Sequence, residues 1–375
     1  MSRIVIIGGG FSGLSALKVF LRTKSNNEFI LIDRKKTFDF LPALPDIIGE
    51  RFKPESLNIS LYDFCRKNKI QFINKEVEDV DFKSKNLNCG SQILSYDYLL
   101  LSSGTQANFY GNEVIRKNSY QLDSVDNAKN ILEAVNSNIY STYIIVGGGY
   151  TGVEVATNLK RYSLRHKKEI RVIIIEKTHR LLVSLPDWVV GYVQKNILNL
   201  GIEVFLDNSV AEVAKSSVSL SSGQRFESTL LIWTAGVKTS DYIFKIDSEK
   251  TSQGRLKVDE YLRINRECFV AGDAAAFFKN DIPIRMAVQF SLAEGRLAAH
   301  NILNTINQKK LIPYQPKDLG YIIPMANNKS CGLILGVRVK GFLASFFHYF
   351  MCVYRSQGLK NRWSLIINLF KGGVS

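Results

Sequence analysis

Residues 3–20 read RIVIIGGGFSGLSALKVF, a strand, a glycine turn and a helix in immediate succession. Ile4, Val5, Ile6 and Ile7 are β-branched and apolar, the composition of a short buried strand. Gly8, Gly10 and Gly13 follow in the spacing G-x-G-x-x-G, and Leu14, Leu17 and Leu21 then recur at helical intervals. Each glycine has a physical task. Gly8 makes the tight turn, Gly10 lets backbone N–H groups approach a pyrophosphate, and Gly13 lets the helix pack on the strand. Just beyond, NEFILIDR (27–34) supplies a second strand ending in Asp33, placed to accept from a ribose hydroxyl while the helix N-terminus holds phosphate.

The same unit returns at 141–159, STYIIVGGGYTGVEVATNL, with Gly147, Gly149 and Gly152, and IRVIIIEK (170–177) places Glu176 at the end of its second strand. A reaction between two nucleotides needs both bound at once, so the repeat predicts one tightly held carrier and one exchanging substrate, FAD and NAD. The plainer alternatives are glycine turns that merely close α/β units, with Asp33 and Glu176 as solvated strand ends. Glu176 predicts NADH over NADPH, because its carboxylate would accept from a ribose 2′-OH and repel a 2′-phosphate. Lys177 and Arg180 nearby keep NADPH open.

Three further segments fix the organisation. SYDYLLLSSGT (95–105) is a buried strand with a turn at Gly104, STLLIWTAGV (228–237) is its counterpart with Gly236, and ECFVAGDAAAF (267–277) is a strand stopping at Gly272 and Asp273. A carboxylate at such a strand end can bind a ribityl or ribose hydroxyl. The expected architecture is α/β with two Rossmann-like domains: a first domain from residues 1–110 and 255–335, a second inserted at 111–254, and a helical tail at 336–375.

The chain has 375 residues, 46% hydrophobic and 22% charged, which suits a folded protein and excludes a disordered one. Its net charge of +15 favours an anionic partner. Residues 309–375 hold ten Lys or Arg and one acid, Asp318, so +9 of that charge lies in the tail. Cys65, Cys89, Cys268, Cys331 and Cys352 are widely spaced, with no CxxC and no clustering with the four histidines; reduced thiols and no metal site are expected. The N-terminus runs straight into a strand, which leaves no room for a cleavable signal and predicts a protein that starts in the cytosol or an equivalent compartment.

Near the end stands GFLASFFHYFMCVY (341–354). Phe342, Phe346, Tyr349, Phe350 and Val353 fall on one helical face, widened by Leu343, Phe347 and Met351. At 14 residues the segment reaches only ~21 Å as a helix, short of a ~30 Å hydrocarbon core. WSLIINLF (363–370) repeats the spacing at Trp363, Ile366, Ile367 and Phe370, with Arg355, Lys360 and Arg362 between. Basic residues and Trp beside apolar faces suit a helix pair lying in a membrane interface. The alternatives are a hairpin packed on the body, or a homodimer interface.

These landmarks in this order resemble the two-dinucleotide-binding-domain flavoproteins, and VQFSLAEG (288–295) with the greasy tail is most similar to type II NADH:quinone oxidoreductases. The resemblance covers nearly the whole chain. It implies FAD at Gly8, Gly10, Gly13, Asp33, Gly104 and Asp273, and NADH at Gly147, Gly149, Gly152, Glu176 and Gly236. Gln289 aligns on the first Gln of the family's AQxAxQxG motif at the flavin and quinone site, while Ala293 replaces the second, with Glu294 beside it. A helix starting near Met286 would aim free N–H groups at the flavin; for Gln289, capping or facing water is the competing role. The resemblance also places Glu154 near nicotinamide and flavin, where it would tune the stacked pair or pass protons towards the quinone. Simple stabilisation by the helix dipole is the alternative.

The expected activity is hydride transfer from NADH to FAD and electron delivery to a membrane quinone, by a peripheral, monotopic protein on the cytoplasmic face of the cell membrane. A sulfide:quinone reductase would need paired redox cysteines near the flavin, where only Cys331 is placed. A soluble reductase of an electron-transfer protein would not need the tail. A flavoprotein binding nucleic acid, as apoptosis-inducing factor does, would need basic residues tracking phosphates; here they frame apolar helices, so no nucleic acid is expected.

Overall fold

The computed structural model describes residues 1–23 and 25–372. It divides into two compact units, each assembled from three chain segments: Met1–Phe38, Ile59–Gln106 and Val237–Asp318 in the first, and Asp39–Asn58, Ala107–Gly236 and Leu319–Ser375 in the second. The boundaries drawn from the sequence differ in several places: residues 39–58, 107–110 and 319–335 group with the second unit, as does the tail from 336, whereas residues 237–254 group with the first.

In the first unit Ile4–Ile7 lie at the centre of a five-stranded parallel sheet. Its order is Cys268–Val270, Tyr98–Leu101, Arg3–Ile7, Glu28–Ile32 and Gln71–Ile73. Val5, Ile6, Leu31, Leu100 and Phe269 are fully or almost fully buried, as expected where both faces of a parallel sheet are covered. The helix Phe11–Arg22 packs on the long helix Val288–Ile306. The approach is close: a Cβ on Gly295 would overlap the carbonyl oxygen of Ser12.

The second unit repeats the arrangement. Tyr120–Gln121, Thr229–Trp233, Thr142–Val146, Arg171–Ile175 and Ile202–Phe205 form a parallel sheet with the glycine-turn strand again third. The helix Tyr150–His166 follows that strand. To this the unit adds an antiparallel sheet, Gly320–Ile323, Ser330–Ile334 and Val337–Gly341, which the sequence pattern did not signal.

Strand Val337–Gly341 leads directly into the helix Phe342–Arg355, and the helix Leu359–Gly372 follows. Both tail segments are helical, as their periodicity predicts. Their faces divide differently from the sequence expectation, however. Tyr349, grouped there with Phe342, Phe346 and Phe350, is buried, whereas those three phenylalanines are exposed. Leu365 and Asn368 also point inward, and Asn368 donates to Ser56 Oγ at 3.1 Å. One face of the hairpin therefore packs on residues near Asp46–Ser56, while Phe346, Phe350, Trp363 and Phe370 remain 52–78% exposed. No helix among the described residues is long and apolar enough to cross a membrane.

Candidate active site

The two glycine turns are built alike. Gly8 N–H donates to Ile32 O at 2.8 Å, and Gly147 N–H to Ile175 O at 2.8 Å, extending each ladder by one bond past the strand. Both residues have positive φ, +102° and +110°, a conformation that glycine alone adopts without strain. Cβ atoms on Gly13 and Gly152 would overlap the carbonyl oxygens of Gly8 and Gly147 respectively. By contrast, Gly10 and Gly149 begin their helices without a side-chain cap, and nothing lies within 4 Å of where a Cβ would stand. An open, uncapped helix start is a cradle for phosphate. Gly104 and Gly236 also have positive φ, +65° and +79°; the surroundings of Gly104 are open, whereas a Cβ on Gly236 would overlap the Tyr110 hydroxyl.

The strand-end carboxylates do more local work than the sequence suggests. Asp33 accepts from the N–H of Gly9 at 2.6 Å and of Lys35 at 2.8 Å. Glu176 accepts from Gly148 N–H at 2.6 Å and from Thr178 N–H and Oγ1 at 2.8 and 2.9 Å. In each unit the acid thus ties the middle glycine of the turn to the second strand. Burial raises the Asp33 pKa, partly offset by those two N–H donors. Arg180 is occupied by Asp187 at 2.8 Å and Leu185 O at 2.9 Å.

A further repeated device escaped the sequence reading. Ser102 Oγ donates to the carbonyls of Ile7 and Gly8, both at 2.9 Å, and Thr234 Oγ1 to those of Val146 and Gly147, at 2.8 and 3.3 Å. Each hydroxyl holds the last strand carbonyl and the first turn carbonyl together. The pattern was available, since Ser102-x-Gly104 and Thr234-x-Gly236 place a hydroxyl two residues before a glycine in matching strands.

In the first unit these parts converge at the carboxyl ends of the strands. Ser12, in the first helical turn, donates to Ala271 O at 3.3 Å, which brings Gly272 and Asp273 against the Gly8–Gly13 turn. Asp273 accepts from Ser291 Oγ at 3.3 Å; burial raises its pKa, and Arg255 opposes the rise. Glu294 accepts from Gly272 N–H at 2.8 Å, and burial pushes its pKa up to about 7. A cleft beside Gly8 and Asp33 is lined also by Lys75, Ser103 and Tyr242, at the place where parallel α/β sheets bind ligands. The long helix starts at Val288, two residues after Met286, with no side chain capping it. Gln289 lies in its first turn, and its amide donates to Asp318 at 2.9 Å, a carboxylate that also receives Arg285 at 2.8 Å.

In the second unit Glu154 lines a narrow cleft with Asp46, Asn158 and Tyr349. Burial, and next the charge of Asp46, raises its pKa well above the ordinary carboxylate range. The five cysteines are all buried and unbridged, and burial raises every thiol, Cys65 and Cys331 to about 12. Among the described residues no group of His, Cys, Asp and Glu could hold a metal ion.

A sequence model of the pyridine nucleotide-disulphide oxidoreductase family matches residues 2–295, and the chain belongs to that family. Over 374 residues it is 22% identical to a type II NADH:quinone oxidoreductase of Staphylococcus haemolyticus and 20% identical to that of Staphylococcus aureus strain NCTC 8325, with 92% of both chains covered in each comparison. Among solved structures, NDH2 from Plasmodium falciparum in complex with NADH superposes with a TM-score of 0.87 at 19% identity, over 100% of this chain and 98% of that one. The sulfide:quinone oxidoreductase of Aquifex aeolicus gives 0.80 at 19% identity, over 100% and 94%.

Proposed function

We propose that this chain is an FAD-containing NADH:quinone oxidoreductase, attached to the cytoplasmic face of a membrane by its C-terminal helix pair. The observation that carries the reading is the pair of independently complete dinucleotide turns, each with an open helix start and a strand-end acid, in a chain that also exposes an aromatic helical face. The names of the staphylococcal relatives support the same activity.

The residues fit both nucleotides. Gly8, Gly10, Gly13, Asp33, Gly104 and Asp273 would hold FAD, with Gln289 in the uncapped helix turn; Gly147, Gly149, Gly152, Glu176 and Gly236 would hold NADH. When bound, FAD would supply the redox chemistry that links nicotinamide to a quinone. The protein's own part is to place backbone N–H donors at the two pyrophosphates and to keep a proton on the buried Glu154. Asp318 holds Gln289 by its amide N–H, which orients the amide oxygen as well. Phe342, Phe346, Phe350, Trp363 and Phe370 would enter the membrane interface, each apolar side chain contributing ~1.5–3 kcal/mol on full burial.

The sulfide-oxidising alternative is disfavoured by the thiols. A reactive cysteine needs an accessible, low-pKa thiolate, and all five are buried with raised pKa values. Anaerobic mixing tests the proposal: the purified protein carries FAD, NADH bleaches it faster than NADPH does, and added quinone restores the colour. A protein that cannot be loaded with FAD, or whose bleached flavin recovers with sulfur acceptors and not with quinone, overturns it.

A further inference from the structure

Asp46 sits in the short helix Pro45–Ile48 and is 4% exposed. It accepts from Tyr349 Oη at 3.1 Å and faces Arg51 Nε at 3.4 Å. Arg51 is itself buried, donates to Ala326 O at 2.7 Å and lies over the Tyr349 ring, 4.6 Å from its centroid. Arg161 adds a second positive charge. Glu154 lines the same cleft, yet no hydrogen bond or ion pair is formed by its carboxylate among the described contacts, and burial and Asp46 both work against its ionisation. Asn158, 4% exposed, presents an amide oxygen with no hydrogen-bond partner. A buried acceptor left over beside two acids calls for a donor, and a protonated carboxyl is one.

Two carboxyl groups in one buried cleft cannot both ionise cheaply, so the environment decides which keeps the proton. Burial raises the Asp46 pKa as well, but Arg51, the Tyr349 hydroxyl and Arg161 all oppose that rise and favour charge on Asp46. Nothing comparable serves Glu154. On the helix Phe342–Arg355, His348 is pushed down to about 4 by burial and then by Arg51 and Arg355, so it brings no charge at neutral pH, and burial keeps the Cys352 thiol neutral.

We propose that Asp46 is the positioning residue that keeps Glu154 protonated, and that Tyr349, reaching in from the C-terminal helix, holds Asp46 in its ionised form. The pair therefore carries one proton and one negative charge. This deepens the oxidoreductase reading, in which the stored proton is used when the quinone is reduced, and it makes the tail helix part of that machinery as well as a surface for the membrane. The proton is shared as a coupled pair, so its titration belongs to both residues.

The test is a pH titration followed by infrared spectroscopy on the full-length protein, which detects a protonated buried carboxyl directly and needs neither NADH nor quinone. A carboxylic-acid band persists at neutral pH and is lost in Glu154→Gln. In Asp46→Asn the repelling charge is gone, so the Glu154 band titrates lower by about one pH unit or more. Tyr349→Phe keeps every charge and is the variant to use if Asp46→Asn fails to fold; it weakens Asp46 as the ionised member and also moves the titration down. A band unaffected by Glu154→Gln, or a Glu154 titration that neither Asp46→Asn nor Tyr349→Phe moves, overturns the proposal. Absence of NADH:quinone turnover with these shifts intact would instead refute the functional reading and leave the pair standing.

Discussion

Gly152→Ala and Gly149→Ala separate the two tasks of the second glycine turn. At Gly152 the new Cβ would overlap the carbonyl oxygen of Gly147, with the carbonyl carbon at 3.1 Å and Thr234 Oγ1 at 3.3 Å. Both oxygens are already held, Thr234 Oγ1 by its bonds to Val146 and Gly147, so the helix start must move away from the strand. Forced overpacking of this kind costs ~1–3 kcal/mol, and at roughly 2–4 °C per kcal/mol for a unit of this size the thermal midpoint should fall measurably. At Gly149 φ is −79° and the space is open, so the fold should tolerate alanine within about 0.5 kcal/mol. The methyl nevertheless stands at the uncapped helix end where a pyrophosphate would approach. Gly149→Ala should weaken NADH binding by about tenfold or more, or ~1.4 kcal/mol, at an unchanged midpoint, whereas Gly152→Ala should lose both. Thermal scanning together with NADH titration on FAD-loaded protein reads the two effects. A Gly152→Ala protein with wild-type stability would refute the packing argument, and a Gly149→Ala protein with wild-type NADH affinity would refute the cradle.

Three other outcomes follow from the structure. Glu176→Ala should narrow the preference for NADH over NADPH in steady-state assays and also loosen the turn, since Gly148 loses its acceptor; an unchanged ratio would remove Glu176 from cofactor choice. Phe346→Ser with Phe350→Ser and Trp363→Ser, all at exposed positions, should leave the thermal midpoint and FAD content intact and release the protein from vesicles in flotation assays, while retained binding would place the anchor elsewhere and a change of oligomeric state would assign the face to a second copy. Glu294, raised from 4.5 to about 7 by burial, binds its proton more tightly folded than unfolded. It therefore contributes stability fully below pH 4.5 that is lost as the pH rises towards 7, a change of roughly 3 kcal/mol; Glu294→Gln should flatten that part of the stability curve, and an unflattened curve would reject the assignment.

Both glycine turns were legible from residues 3–34 and 141–177 because everything that defines them is local: strand period, turn, helix period and terminal acid fall within about thirty residues. The same holds for the strands before Gly104, Gly236 and Gly272. The structure adds what local pattern does not encode. Tyr349 and Asp46 are 303 residues apart in the chain, and the helical spacing that grouped Tyr349 with Phe346 and Phe350 says nothing of a buried acid waiting for its hydroxyl. Gln289 was visible as a motif residue, yet its partner Asp318 stood out only as the single acid of a basic tail. The hairpin Ser330–Gly341 was missed because Gly332 and Gly336 interrupt its alternation; Gly332 sits where a Cβ would overlap Tyr321 O.

The interleaving of the two units bears on how the chain is made. The first strand, Arg3–Ile7, is central to its sheet, but its edge strand Cys268–Val270 and the helix Val288–Ile306 that packs on Phe11–Arg22 emerge from the ribosome only after some 260 further residues. The second unit likewise waits for residues 319–372 to cover Asp46 and Arg51. At about 5–20 residues per second the nascent chain spends tens of seconds with the first sheet lacking its edge strand; the five strands of the second sheet are all made by Trp233, yet the first unit still waits for its helix ending at Ile306. A ribosome stalled before residue 268 would thus carry one finished sheet and no finished unit to release.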